Sequence, residues 1–67
     1  MEAFKVRLIQ EYNELNERIG KLSNFLKNPN GVELSEKMMA VMGGQQVAME
    51  EYSRKLWERM EMLGITS

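Results

Sequence analysis

Cations and flat rings recur together towards both ends of this chain: Phe4, Arg7 and Tyr12 near the start, then Tyr52, Arg54, Lys55, Trp57 and Arg59. Arg and Lys pair with phosphate oxygens, while the faces of Tyr, Trp and Phe stack on nucleobases, so the mixture suits a small phosphorylated nucleotide. The same residues admit a purely structural reading, in which Tyr12 and Tyr52 fill a seam and Arg7 and Arg59 pair with Glu11 and Glu58. Reaction chemistry is poorly supplied by comparison. With no His, Cys or Asp, neither a Ser-His-Asp nor a Cys-His arrangement can be built, and the commonest general base at neutral pH is missing. Glu11, Glu14 and Glu17 are each one helical turn apart, a spacing open to a Mg-type carboxylate pair; with Arg18 and Lys21 beside them they read as a solvated face. The expectation is a binding protein, not an enzyme, with no cofactor and no metal.

Apolar spacing defines the elements that must position these groups. Leu8, Tyr12, Leu15, Ile19, Leu22 and Leu26 step alternately by four and three residues, the pattern of a helix with one narrow apolar seam. A second stripe runs Met42, Gln45, Met49, Tyr52 and Leu56, continued by Met60 and Leu63. The first helix is expected from Glu2 or Ala3 to Leu26 or Lys27. Lys27-Asn28-Pro29-Asn30-Gly31 then stops it, because Asn28 precedes a proline and Asn-Gly is a strong turn dipeptide. Ser35 is the expected N-cap of a second helix reaching to about Leu63, with Gly64 as its stop. Gly43-Gly44 weakens that helix by about 2 kcal/mol relative to two alanines. The pair marks either a mild kink or a frayed junction between a short first segment, Glu36 to Met42, and the longer one that follows, or else a place where backbone approaches another helix or a ligand.

The fold class is therefore all-α, an antiparallel two-helix hairpin spanning residues 1–67 as one domain. A chain of 67 residues this short is marginal as a monomer and needs a staple. Without Cys or His, disulfides are excluded and a zinc site nearly so. Hydrophobic content of 43%, with seven Met, exceeds what two helices can shield from one another, which points to assembly into a homo-oligomeric helical bundle with a two-fold dimer as its smallest unit. Nine Lys and Arg against ten acidic residues give no basic field, so DNA and RNA are not expected partners. No stretch is long and apolar enough for a membrane span or a signal peptide, and a cytoplasmic location is expected.

Three runs of residues carry a family resemblance: Phe4-x-x-Arg7-Leu8-x-x-Glu11-x-x-x-Leu15, Lys21-Leu22-x-x-Phe25-Leu26, and Gln45-x-x-x-Met49-x-x-Tyr52-x-x-x-Leu56-x-x-Arg59. In that order, over nearly the whole chain, they resemble small phage-encoded helical-hairpin proteins related to a crAss-like phage protein, of the Sequestin type. Gly43-Gly44 and the Met-rich segment before Gln45 depart from the pattern. The resemblance implies a phage anti-defence sponge in the cytoplasm of an infected bacterium. Such a protein holds a nucleotide immune signal of the cyclic ADP-ribose or cyclic dinucleotide class, as used in Thoeris and CBASS defence, without turning it over. Fold alone does not establish function. On this reading Arg7 and Arg59 take phosphate, Phe4 and Tyr52 stack on base or ribose, and Glu11 and Gln45 meet polar edges, with Lys21 and Phe25 as second choices. The alternative is a protein-interaction adaptor that docks through Met38, Met39 and Met42, since flexible thioethers suit adaptable surfaces.

Overall fold

The computed structural model describes residues 2–28 and 33–65, in which two helices, α1 (Ala3–Lys27) and α2 (Glu36–Met62), are the regular elements. α1 starts without a side-chain cap. Glu2 is extended, and its carbonyl accepts from the Lys5 and Val6 N–H groups at 3.0 and 3.2 Å. The expected turn at Pro29, Asn30 and Gly31 lies outside the described residues. α2 opens as its sequence demands: the Ser35 hydroxyl accepts from the Met38 N–H at 3.1 Å, and Glu36 occupies the first turn, where both satisfy the positive helix end.

Gly64 closes α2 with a positive φ of 74°, a conformation that costs glycine little. Its N–H donates to the Glu61 carbonyl at 3.0 Å and the Ile65 N–H donates to the Met60 carbonyl at 2.9 Å. Together these form a Schellman motif, completed by Ile65 packing against the core cluster that contains Met60. α2 runs unbroken through Gly43-Gly44, so the pair is not a junction between two segments.

Leu8 and Leu15 of α1 cluster with Leu56 and Met60 of α2, and Ile9, Tyr12, Ile19, Met49 and Ile65 pack around them. Tyr12 meets Trp57 with ring centroids 5.6 Å apart, and Asn16 accepts from Ser53 at 2.7 Å. Partner numbers fall as α1 numbers rise, so the helices are antiparallel. The result is a rod of 45 × 18 × 17 Å. Its radius of gyration is 15.0 Å, where a compact domain of this length would have about 11 Å.

The seam on α1 is the expected one, but on α2 it is rotated towards one side. Gln45 is exposed and Tyr52 is 47% exposed, while Gln46 is half-buried and Ser53 is buried. The seam thus follows Met42, Gln46, Met49, Ser53, Leu56 and Met60. Leu63 also stays largely outside, at 37% exposure. Asn16 explains the rotation: it supplies the acceptor that makes a buried serine hydroxyl tolerable, and serine is small enough for the helices to close over it.

Leu56 has no exposed surface, so Leu56→Ala should cost about 2–5 kcal/mol and unfold the hairpin at ambient temperature. A Cβ on Gly20 would meet nothing within 4 Å. Gly20→Ala should therefore add about 1 kcal/mol of helix propensity and raise Tm by about 4–8 °C. Circular dichroism melts of the two variants check both directions.

Candidate functional site

The structure divides the cations and rings of the two ends among three surfaces. Phe4, Glu11, Arg18 and Phe25 recur every seven residues on α1, as do Gln45, Tyr52 and Arg59 on α2, and residues seven apart share a helix face. Tyr52 donates its phenolic hydrogen to the Glu11 carboxylate, which brings the two rows together along one edge of the hairpin. Arg7 lies one turn from both Phe4 and Glu11 on that edge. Tyr12 and Trp57 are paired at the opposite edge. Arg54 and Lys55 point outward and are engaged: Arg54 with Glu51 and, at 3.1 Å, with Glu58, and Lys55 with Glu58 at 3.3 Å.

Arg7 and Arg59 are treated differently from Arg54. Among the described residues neither has a carboxylate within ion-pairing distance. Their expected structural partners are taken elsewhere, Glu58 by Arg54 and Lys55, and Glu11 by Tyr52. Two exposed guanidiniums thus keep their forked donors unengaged by carboxylates among the described residues. Arg59 and the half-exposed ring of Phe4 line an open hollow of about 310 Å³ together with Met62 and Leu63. That volume lies at the lower end of those that hold small ligands.

Tyr52 and Glu11 sit about two turns further along the edge. The carboxylate that accepts the Tyr52 hydrogen raises the phenol above its ordinary range, aided by partial desolvation, while the positive charge of Arg59 acts against the rise. Glu51 shows the reverse: the guanidinium of Arg54 holds its carboxyl below the usual carboxylate range and is itself raised by that contact.

The other candidate residues are not brought to the same place. Gln45 shares the row of Tyr52 and Arg59, but lies fourteen residues from Arg59, about 21 Å along the helix. Lys21 and Phe25 line a separate hollow of about 470 Å³ at the C-terminal end of α1, with Asn24, Lys27 and Asn28, and Lys21 is paired with Glu17 at 3.2 Å. Met62 and Leu63 were not among the candidates. Their position three and four residues beyond Arg59 is a sequence signal that places them on its face. No cluster of His, Cys, Asp or Glu among the described residues could hold a metal ion, and no helix there is long and apolar enough to cross a membrane.

A family-wide sequence model, described as Sequestin, matches residues 2–62. The chain belongs to the Sequestin family. No curated protein and no solved structure matches it. The matched span contains every residue of the edge, from Phe4 to Arg59, and both helices, and it stops before the Gly64-Ile65 cap. The family pattern therefore covers the groups that could meet a ligand as well as the seam that positions them.

Tyr52 gives the edge a spectroscopic handle. In a Tyr12→Phe background it is the one remaining phenol, and its absorbance titration should rise later than an ordinary tyrosine's. Because the folded value is raised, the contact stabilises the fold below the ordinary phenol range and is lost as pH climbs through the folded value. Glu11→Gln removes the negative acceptor and should return the titration towards the ordinary range.

Proposed function

We propose that this chain is a sponge: a homo-oligomeric helical hairpin that captures a small nucleotide signal of the cyclic ADP-ribose or cyclic dinucleotide class and withholds it from its receptor. The observation that carries the reading is the edge on which Phe4, Arg7, Tyr52 and Arg59 lie with both guanidiniums unpaired, in a chain of a family whose name denotes sequestration. Arg7 and Arg59 provide charge-assisted, bidentate contacts to phosphate oxygens. Phe4 and Tyr52 provide ring faces for base or ribose. Glu11, freed from Tyr52, accepts from a ribose hydroxyl or an exocyclic amine, and Gln45 meets a longer ligand or a second one. Lys21 and Phe25, at the turn end, are a secondary site.

The hollow at Arg59 is open on a hairpin only 17–18 Å across. A nucleotide seated there keeps one side in water unless a second chain closes over it, which ties capture to self-association. Release of an altered product is not part of this function. The chain has no His or Cys to serve as general base or thiol nucleophile, and tight binding without turnover is all a sponge requires. The bacterial cytoplasm, where such signals are made, is the compartment in which it would act.

A second reading is favoured by one observation: Met38 and Met39 remain 50% and 41% exposed, as an adaptor that docks on another protein would require. The two readings predict opposite sensitivities. In melts against a panel of cyclic ADP-ribose isomers, linear ADP-ribose conjugates and cyclic oligonucleotides, a ligand at a hundredfold excess over its Kd should add about 2.7 kcal/mol of stability. Arg7→Glu and Arg59→Glu should each abolish the shift while preserving helix content, and Met38→Glu should leave it intact. A flat panel, or a shift that survives both arginine reversals, contradicts the sponge.

A further inference from the structure

From Met38 to Met49, α2 passes through twelve residues without a charge, in a chain that is 28% charged. α1 covers one face of this stretch, where Met42, Gln46 and Met49 are half-buried. The outward face is bare: Ala40, Gly44 and Ala48 are exposed, and Val41 and Val47 are 60% and 67% exposed. A helix face of Ala, Val and Gly that its own chain leaves uncovered suits burial against another surface. Further along α2 the outward face that does meet water carries Glu51, Arg54, Lys55 and Glu58, linked by ion pairs.

We infer that the outward face of α2 from Lys37 to Glu51 is covered by the same face of a second copy of this chain, the two helices crossing antiparallel with Gly44 at the two-fold axis. The pattern on this face is symmetric about Gly44. Val41 and Val47 lie three residues to either side, Ala40 and Ala48 four, and Lys37 and Glu51 seven. An antiparallel two-fold crossing therefore sets Ala40 against the partner's Ala48, Val41 against the partner's Val47, and Lys37 against the partner's Glu51, twice over. A parallel crossing would place like charges together at both ends. Such self-complementarity is the property of an isologous interface, and it selects a second copy over a foreign protein.

Charge and space agree with this. Among the described residues Lys37 has no carboxylate within ion-pairing distance, and Glu51 is held only by Arg54 of its own helix. A Cβ on Gly43 or Gly44 would meet nothing within 4 Å, so α1 does not require either glycine. A backbone-to-backbone approach at the axis does, since any side chain there would hold the helices apart.

The inference rests on the reading above only in that the chain self-associates: this contact forms without ligand and is not the one that would close over a nucleotide at Arg59. Gly44 is fifteen residues from Arg59, about 22 Å along α2. The test is the mass of the full chain by analytical ultracentrifugation without nucleotide, for the natural sequence, Gly44→Leu, Gly20→Leu, Lys37→Glu and Lys37→Glu/Glu51→Lys. The expected result is a dimer or a multiple of it for the natural chain and for Gly20→Leu. Gly44→Leu should give a single-chain mass with helix content retained, Lys37→Glu should weaken association at least tenfold, and the charge swap should restore it. A natural chain that sediments as a monomer overturns self-association and this interface together. An unchanged mass for Gly44→Leu, or a charge swap that fails to rescue Lys37→Glu, overturns the interface alone.

Discussion

Everything in this chain hangs on one seam. Leu56 is the side chain most completely removed from water, and Leu8, Leu15 and Met60 close around it. Two helices can bury only the faces they turn towards each other, so most other large apolar side chains stay partly in solvent, Phe4, Val41, Val47 and Met62 among them. The seam fixes the height of one helix against the other through the Asn16–Ser53 hydrogen bond, and that height decides which side chains meet along the edges. A slip of one turn would part Tyr52 from Glu11 and carry Arg59 away from Phe4.

The edge that results is built from contrast. On the outward face of α2, opposite charges are interleaved at helical spacing and consume one another. Along the edge that carries Arg7 and Arg59, the acid that could neutralise an arginine is instead given a tyrosine hydroxyl. Guanidiniums that meet no carboxylate among the described residues, beside exposed rings, keep their forked donors open to solvent. Membership of the Sequestin family over residues 2–62 is consistent with a sequestering role.

Much of the fold was legible because its signals are local. The four-and-three spacing of Leu8 to Leu26, the hydroxyl of Ser35 and the glycine at 64 each act within a turn or two of themselves, and each appears where its chemistry requires. The α2 seam was harder. Met42, Met49 and Leu56 are common to a seam through Gln45 and Tyr52 and to one through Gln46 and Ser53. Hydrophobicity favours tyrosine, whereas the observed choice depends on Asn16, a residue of the other helix. The site was legible as a set of residue types but not as a grouping. Phe4, Arg7, Glu11, Tyr52 and Arg59 share an edge, a grouping that depends on the register between the helices, while Lys21 and Phe25 belong to a hollow at the C-terminal end of α1, set apart by their distance along that helix alone.

Depletion of a free nucleotide signal tests the central claim most directly. The purified chain would be mixed with the panel member that raises its Tm, the unbound fraction collected by ultrafiltration, and the protein then heat-denatured to release what it held. Sequestration predicts a filtrate depleted in proportion to the protein added and a denatured fraction that returns the same molecule, unaltered by mass spectrometry. A filtrate that keeps its full content of signal, or a released product of different mass, would contradict the account.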